Sequence, residues 1–327
     1  QVAHEVCAAS CLAQLASAMA SKPWRLSSSV TILAPYGSVP DCEFSDAIKG
    51  ASDYDYRICL VKRAAQSSFM PDVMVFPGGA VDSEDVVSAR ELLGSSADDL
   101  EAVVRCAAVR EVLEESGIGI LKHELELSSD DLMAWRRTVH DKAGEFRSFC
   151  AACSTTPAVE SLHYWCSFIT PDFEHQRLKK GGFDARFYIW CADSASQLAG
   201  ALADARETVS LVWLTPNEVL GAAAAGRIAL APPQWYIARE LADACPKLAD
   251  VPRYAGSPGR ALRRNYPIKP FPVMPSPDER AVILARLGSP TPQGSKDAAE
   301  NDSKKAPGVI VLAYPGDEAH PVFPGGP

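Results

Sequence analysis

The chain has no run of about 18 apolar residues, the length a bilayer-spanning helix requires. Its most apolar early stretch, residues 6–20, is mostly Ala, Ser and Cys. An integral membrane protein is therefore excluded. A basic excess is also missing: Asp plus Glu number 41 against 32 for Lys plus Arg, a net charge of −9. Binding along a phosphate backbone calls for a positive face, so nucleic acid is not an expected partner. Neither a Walker loop nor a G-x-S-x-G nucleophile turn is present. Cysteine is not scarce, but its 10 copies fall at irregular spacings along 327 residues. Disulfide scaffolds belong to short secreted chains, so reduced thiols are the expectation here. Cys150, Cys153, His163 and Cys166 have a zinc-like look, yet one C-x-x-C at an unfamiliar spacing argues for packing thiols instead.

What is present is an ordinary globular balance, 47% apolar and 22% charged residues, enough to build a sizeable core. Residues 28–34, 56–63, 73–76, 164–170, 185–191 and 208–214 read as strands, rich in β-branched and aromatic residues between turn signals. Residues 83–93 and 97–116 read as helices. The second has Ser96 as its N-cap, Asp99 three residues on, and Gly117 as its stop. Residues 129–150 read as one amphipathic helix. Pro216 suits a helix start before residues 217–225, and Pro232-Pro233 opens another through about Ala244. This is a mixed α/β pattern without the regular alternation of a doubly wound sheet. Beyond residue 250 the composition shifts: prolines and arginines to about 277, then low-complexity sequence at 288–308. An apolar stretch at 309–314 suits a terminal edge strand. The expected division is an N-terminal extension at 1–27, a catalytic domain at 28–250 and a C-terminal extension at 251–327.

The chemistry concentrates at residues 110–118, Arg-Glu-Val-Leu-Glu-Glu-Ser-Gly-Ile. On a helix, Glu111 lies three and four residues from Glu114 and Glu115, so all three share roughly one face. Such a cluster is either a wet charged surface or a site for a divalent cation. Hard carboxylate oxygens suit Mg²⁺ or Mn²⁺, which bridge to substrate phosphates. Arg110, four residues before Glu114, can hold a carboxylate through a two-pronged hydrogen bond. Upstream, Pro77-Gly78-Gly79 follows a short strand, where a glycine pair allows close backbone approach.

Together these segments resemble the Nudix box: Gly, five residues, Glu, seven residues, then Arg-Glu-apolar-any-Glu-Glu-any-Gly-apolar. Its second half matches throughout. Its first half starts at Gly79 and carries Asp85 in the Glu position. Between Asp85 and Arg110 lie 24 residues where the pattern has seven, so a folded insertion interrupts the box. An interrupted box of this kind resembles the peroxisomal acyl-coenzyme A diphosphatase branch, related to Nudix hydrolase 19. The segments Ser68-Phe69-Met70-Pro71, Phe168-Ile169-Thr170-Pro171, Phe183-Asp184-Ala185-Arg186-Phe187-Tyr188, Trp213-Leu214-Thr215-Pro216 and Leu230-Ala231-Pro232-Pro233-Gln234 are similar to that branch too.

The resemblance implies an α/β/α sandwich with a mixed sheet and the hydrolysis of a pyrophosphate in a nucleoside diphosphate derivative, coenzyme A or acyl-coenzyme A favoured. Carried over by position, Glu114 and Glu115 are main metal ligands, Glu111 is a further ligand or the base for water, the Gly78 carbonyl completes the shell, and Arg110 orients the glutamates. Asp85, one methylene shorter than the family's Glu, acts only through water or not at all. Glu207 is the candidate assisting carboxylate. Lys62, Arg63, Lys179 and Lys180 are candidates for the 3′-phosphate of coenzyme A, with Gly79 and Phe76 counted among the substrate-binding residues. Two alternatives stay open: another nucleoside diphosphate substrate, and an accessory subunit in a larger assembly that holds the tail. The branch is typically peroxisomal. With the Ala-rich, acid-poor start, and with Pro327 taken as the terminus in place of Ser-Lys-Leu, the expectation is the mitochondrion, the peroxisome being the alternative.

Overall fold

The computed structural model describes residues 22–45, 53–64, 72–96, 98–201, 208–273 and 311–313. β1 (Arg25–Pro35) and β2 (Tyr56–Arg63) pair antiparallel only through Leu33–Ile58, Ala34–Arg57 and Pro35–Tyr56. Beyond that they part, and the next segment fills the fork: β3 (Met74–Val75) lies on β2 and β4 (Gly78–Ala80) lies on β1. Pro77, which has no N–H for a ladder, sits between them; its carbonyl accepts from the Val30 N–H and the Ser29 hydroxyl.

Four helices follow, α1 (Ser83–Leu93), α2 (Leu100–Ser116), α3 (Ser129–Asp141) and α4 (Glu145–Ala152). β5 (His163–Ile169), the short α5 (Asp172–Arg177), β6 (Phe183–Cys191) and β7 (Thr208–Leu214) come next. β6 runs parallel to β1 over nine positions, with β5 antiparallel outside it, while β7 runs antiparallel along β2. The result is a seven-stranded mixed sheet. α6 (Pro216–Ala224), α7 (Pro232–Ala244), α8 (Asp250–Ala255) and α9 (Pro258–Leu262) complete the helices, and β8 (Phe271–Val273) pairs with β9 (Val311–Ala313) as a separate ribbon.

Strand alternation builds two cores, one on each face. Val30, Ile32 and Ala34 of β1 join α2, with Leu132 of α3 and Phe146 and Phe149 of α4, in the first. Leu33 joins Ile58 and Leu60 of β2, and Ile237 and Leu241 of α7, in the second. This is the expected α/β/α sandwich. No helix among the described residues is long and apolar enough to cross a membrane.

The differences from expectation are local. The expected helix over 129–150 is two helices, broken at residues 142–144, where Gly144 falls inside the apolar pattern. Asp99, not Ser96, caps α2, its side chain accepting from the Ala102 N–H. The second core continues past the boundary expected at residue 250: Val251 and Ile268 are buried in it, and buried Arg260 donates to the Trp165 carbonyl and to Glu240. The segments behind the mitochondrial expectation, and Ser68-Phe69-Met70-Pro71, lie outside the described residues.

Candidate active site

The site forms where α2 crosses β1 and β4. Gly117 terminates α2 in the left-handed region, φ 75°, a conformation that costs glycine little. Arg110 is the hub. Its Nε and Nη2 donate to the two oxygens of Asp85 at 2.8 and 2.9 Å. Its Nη1 donates to Glu111 at 2.9 Å and Glu114 at 2.7 Å, and Nη2 reaches the Ala80 carbonyl at 3.3 Å. Burial alone would lower the arginine's pKa, but Asp85, Glu111 and Glu114 together outweigh it and raise it. Asp85 is fully buried and also accepts from the Asp82 N–H, in a reciprocal capping box that starts α1. Both of its oxygens are thus engaged in holding structure, a role that its place in the box does not suggest.

The glutamates separate by environment. Glu115 accepts from the Gly78 N–H at 2.9 Å. Glu114 is buried, its carboxylate also 3.3 Å from His140 Nδ1; burial raises its pKa, opposed by Arg110 and His140. Glu111 lies against Gly79, where a Cβ would come within 2.5 Å of its carboxylate. Burial pushes the Glu111 carboxyl up to about 7, outweighing the favourable Arg110 contact. A Cβ on Gly78 would fall 2.3 Å from the Ser28 carbonyl, so only glycine lets β4 lie on β1 there.

One guanidinium facing several carboxylates leaves negative charge that a divalent cation would neutralise, and the donors are the hard oxygens such a cation prefers. The residues therefore fit a metal. Among the described residues, no group of three His, Cys, Asp or Glu side chains is placed to hold a metal ion, so the fit is one of donor chemistry.

The other expected residues fare unevenly. Phe76 is 2% exposed in the second core, on the face away from α2, so its side chain is structural rather than substrate-binding. Lys62 pairs at 3.9 Å with Asp72 and lies across the ladder from Met74, also of the second core. Arg63 ends β2 opposite Thr208 at a register shift. Lys179 and Lys180 are exposed just before Gly181. Glu207 lies outside the described residues. The zinc-like set does not assemble: Cys150 belongs to the first core and Cys166 to the second, across the sheet. His175 is structural, accepting from the Gly182 N–H and stacked on Trp24 at 4.0 Å.

Sequence reasoning missed Arg136 and His140. Buried Arg136 donates to the Glu114 carbonyl at 2.9 and 3.2 Å, satisfying an otherwise orphaned carbonyl in the last turn of α2. The two residues are four apart, on one face of α3, but nothing in the sequence pairs them with a residue of α2.

A strand–loop segment laid against a helix of clamped glutamates, inside an α/β/α sandwich, defines a Nudix domain. The architecture is similar to that of a Nudix hydrolase from Alicyclobacillus acidocaldarius, with TM-score 0.55 and 20% identity over 73% of this chain and 98% of that one. Residues 87–241 match the family model described as the NUDT19 Nudix domain. The chain is 28% identical over 250 residues to the acyl-coenzyme A diphosphatase NUDT19 of Xenopus laevis, covering 63% of each. It is 26% identical to the Homo sapiens protein of that name, covering 75% of this chain and 76% of that one. A putative nudix hydrolase 7 from Caenorhabditis elegans is 29% identical over 66% of this chain and 68% of its own. These likenesses support a Nudix hydrolase of the NUDT19 branch. The chain spans just under two thirds of the Xenopus relative.

Proposed function

We propose that the chain hydrolyses the pyrophosphate of coenzyme A or acyl-coenzyme A, using Mg²⁺ or Mn²⁺. The observation that carries this reading is the Arg110 clamp, which gathers buried carboxylates beside a glycine pair with no room for side chains. The relatives named as acyl-coenzyme A diphosphatases support the substrate class.

Glu111, Glu114, Glu115 and the Gly78 carbonyl would hold the metal, which when bound polarises phosphate oxygens and stabilises the leaving oxygen. Arg110 fixes the carboxylates, and Asp85 fixes Arg110. Glu111 serves as a further ligand or as the base that takes a proton from the attacking water. The water oxygen bonds to one phosphorus, the bridging P–O bond breaks, and the products are an acyl phosphopantetheine and adenosine 3′,5′-bisphosphate. Retention of all three glutamates favours catalysis over a purely structural subunit, because unneutralised like charges held together are costly.

The test is hydrolysis of coenzyme A, acyl-coenzyme A, NADH and ADP-ribose with Mg²⁺ or Mn²⁺, with Glu115→Gln alongside. Release of adenosine 3′,5′-bisphosphate, lost in the variant, is the expected result. Turnover of only NADH or ADP-ribose would move the substrate class. No turnover together with no metal binding would overturn the enzymatic reading.

A further inference from the structure

The face of the sheet that carries Glu111 also carries a polar row that the pyrophosphate chemistry does not use. Gly79 of β4 faces Ser28 of β1, Ser28 faces Arg186 of β6, and Arg186 faces Ser167 of β5. Ser28 is 2% exposed. Its hydroxyl and the Arg186 Nε are both shielded from solvent and have no hydrogen-bond partner among the described residues. Buried polar groups without partners are uncommon and call for an explanation.

The Arg186 side chain is about a quarter exposed, held by a 3.5 Å ion pair with Glu101. Glu101 is already engaged by Arg105 at 2.8 Å, and Arg105 also donates to the Val159 and Leu162 carbonyls. A third guanidinium, Arg264, lies 4.9 Å over the Tyr164 ring, and the Tyr164 hydroxyl is 2.7 Å from Ser167 Oγ. Arg105 and Arg186 thus share a single carboxylate, with Arg264 on the Tyr164 ring, in a chain whose net charge is −9. Arg105 is committed to structure. Arg186 and Arg264 keep donors free for an anion, and a forked guanidinium suits a phosphate.

Distance decides which phosphate. Arg186 stands two strand spacings, about 10 Å, from Gly79. Its guanidinium sits beside Glu101, ten residues and hence about 15 Å up the helix from Glu111. That is too far to share the pyrophosphate held at the glutamates, but within reach of another phosphate of the same nucleoside once the extended arginine and glutamate side chains span part of the gap. We propose that Arg186, assisted by Arg264, forms a subsite for a phosphate monoester on the nucleoside half of the substrate. The role of reading the 3′-phosphate thereby falls to β6 rather than to Lys62, Arg63, Lys179 or Lys180. This inference rests on the coenzyme A reading.

Two measurements on the full chain test it, one independent of turnover. In metal-free titration calorimetry, adenosine 3′,5′-bisphosphate should bind at least tenfold more tightly than AMP. Arg186→Gln should erase that difference, and Arg186→Lys should restore part of it. In kinetics, the parent chain should prefer coenzyme A over its 3′-dephospho form in kcat/KM. Arg186→Gln should cut kcat/KM for coenzyme A at least tenfold through KM and leave the dephospho form within twofold. Equal binding of the two nucleotides by the parent chain would overturn the subsite even if hydrolysis is observed. Equal loss on both substrates would overturn it too, marking Arg186 as structural. If nothing is hydrolysed but the nucleotide difference appears and vanishes in Arg186→Gln, the subsite stands and the coenzyme A hydrolase reading falls.

Discussion

Asp85 and Arg110 meet through two parallel hydrogen bonds of 2.8 and 2.9 Å, joining the start of one helix to the middle of the next across the box insertion. Asp85 is fully buried and Arg110 nearly so, so removing one partner strands the other's charge. Asp85→Ala should cost about 3–5 kcal/mol in urea denaturation. Asp85→Glu restores the family's residue but adds a methylene to a filled site, and should cost about 1–3 kcal/mol. Equal stability of Asp85→Ala and the parent would refute the clamp.

The two glycines of β4 should respond differently to the same added methyl. A Cβ on Gly78 meets the backbone carbonyl of Ser28 at 2.3 Å, which can move only with the sheet. Gly78→Ala should lower the melting temperature by several degrees. A Cβ on Gly79 meets only the Glu111 carboxylate at 2.5 Å, the end of a flexible side chain. Gly79→Ala should melt near the parent and lose most of its turnover. Differential scanning fluorimetry beside the hydrolysis assay separates the two.

Glu111→Gln should trade activity for stability. Burial disfavours the ionised carboxylate, whose pKa is raised to about 7, while an amide keeps an acceptor for Arg110. Without metal, the variant should gain about 1–2 kcal/mol over the parent at pH 8 and hydrolyse nothing measurable. The stability gain should shrink when Mg²⁺ is added, because only the parent has the full carboxylate set to bind it. A metal-free variant less stable than the parent would rule out this account of Glu111.

Arg136 and His140 hold opposite ends of one residue, the Glu114 carbonyl and its carboxylate. Arg136→Leu leaves a buried carbonyl without its donors and should cost about 1–3 kcal/mol. His140 is about one-third exposed, so His140→Ala should leave folding nearly unchanged. It should weaken Mn²⁺ binding severalfold, because Glu114 loses a contact that orients it. Electron paramagnetic resonance of free Mn²⁺ reads the second effect, and unchanged affinity would set His140 aside.

The strands at 56–63 and 208–214 and the helices at 83–93 and 232–244 coincide with their expected bounds, because local pattern and tertiary packing agree there. The Arg110–Ile118 segment is legible for the same reason: its residues are neighbours both along the helix and in space. What is not legible depends on partners far apart in the chain. Asp85 reads as a weakened ligand because its arginine lies 25 positions away. Phe76 reads as a site residue because it precedes the glycines, yet strand alternation turns it to the other face. Arg186 carries no local signature of a site; only the register from β4 through β1 to β6 sets it in line with Gly79.

The insertion that interrupts the box forms most of α1, the turn after it and the first half of α2. Its two ends are tied by Asp85 and Arg110, while Gly94 at the turn has open space around it. Since closure entropy grows only slowly with loop length, the distance along the chain between the halves of the site is nearly decoupled from the distance between them in space. The turn after Gly94 is therefore a natural grafting point. A reporter domain or affinity tag spliced there would hang outward from the fold, leaving the catalytic helix anchored at its base.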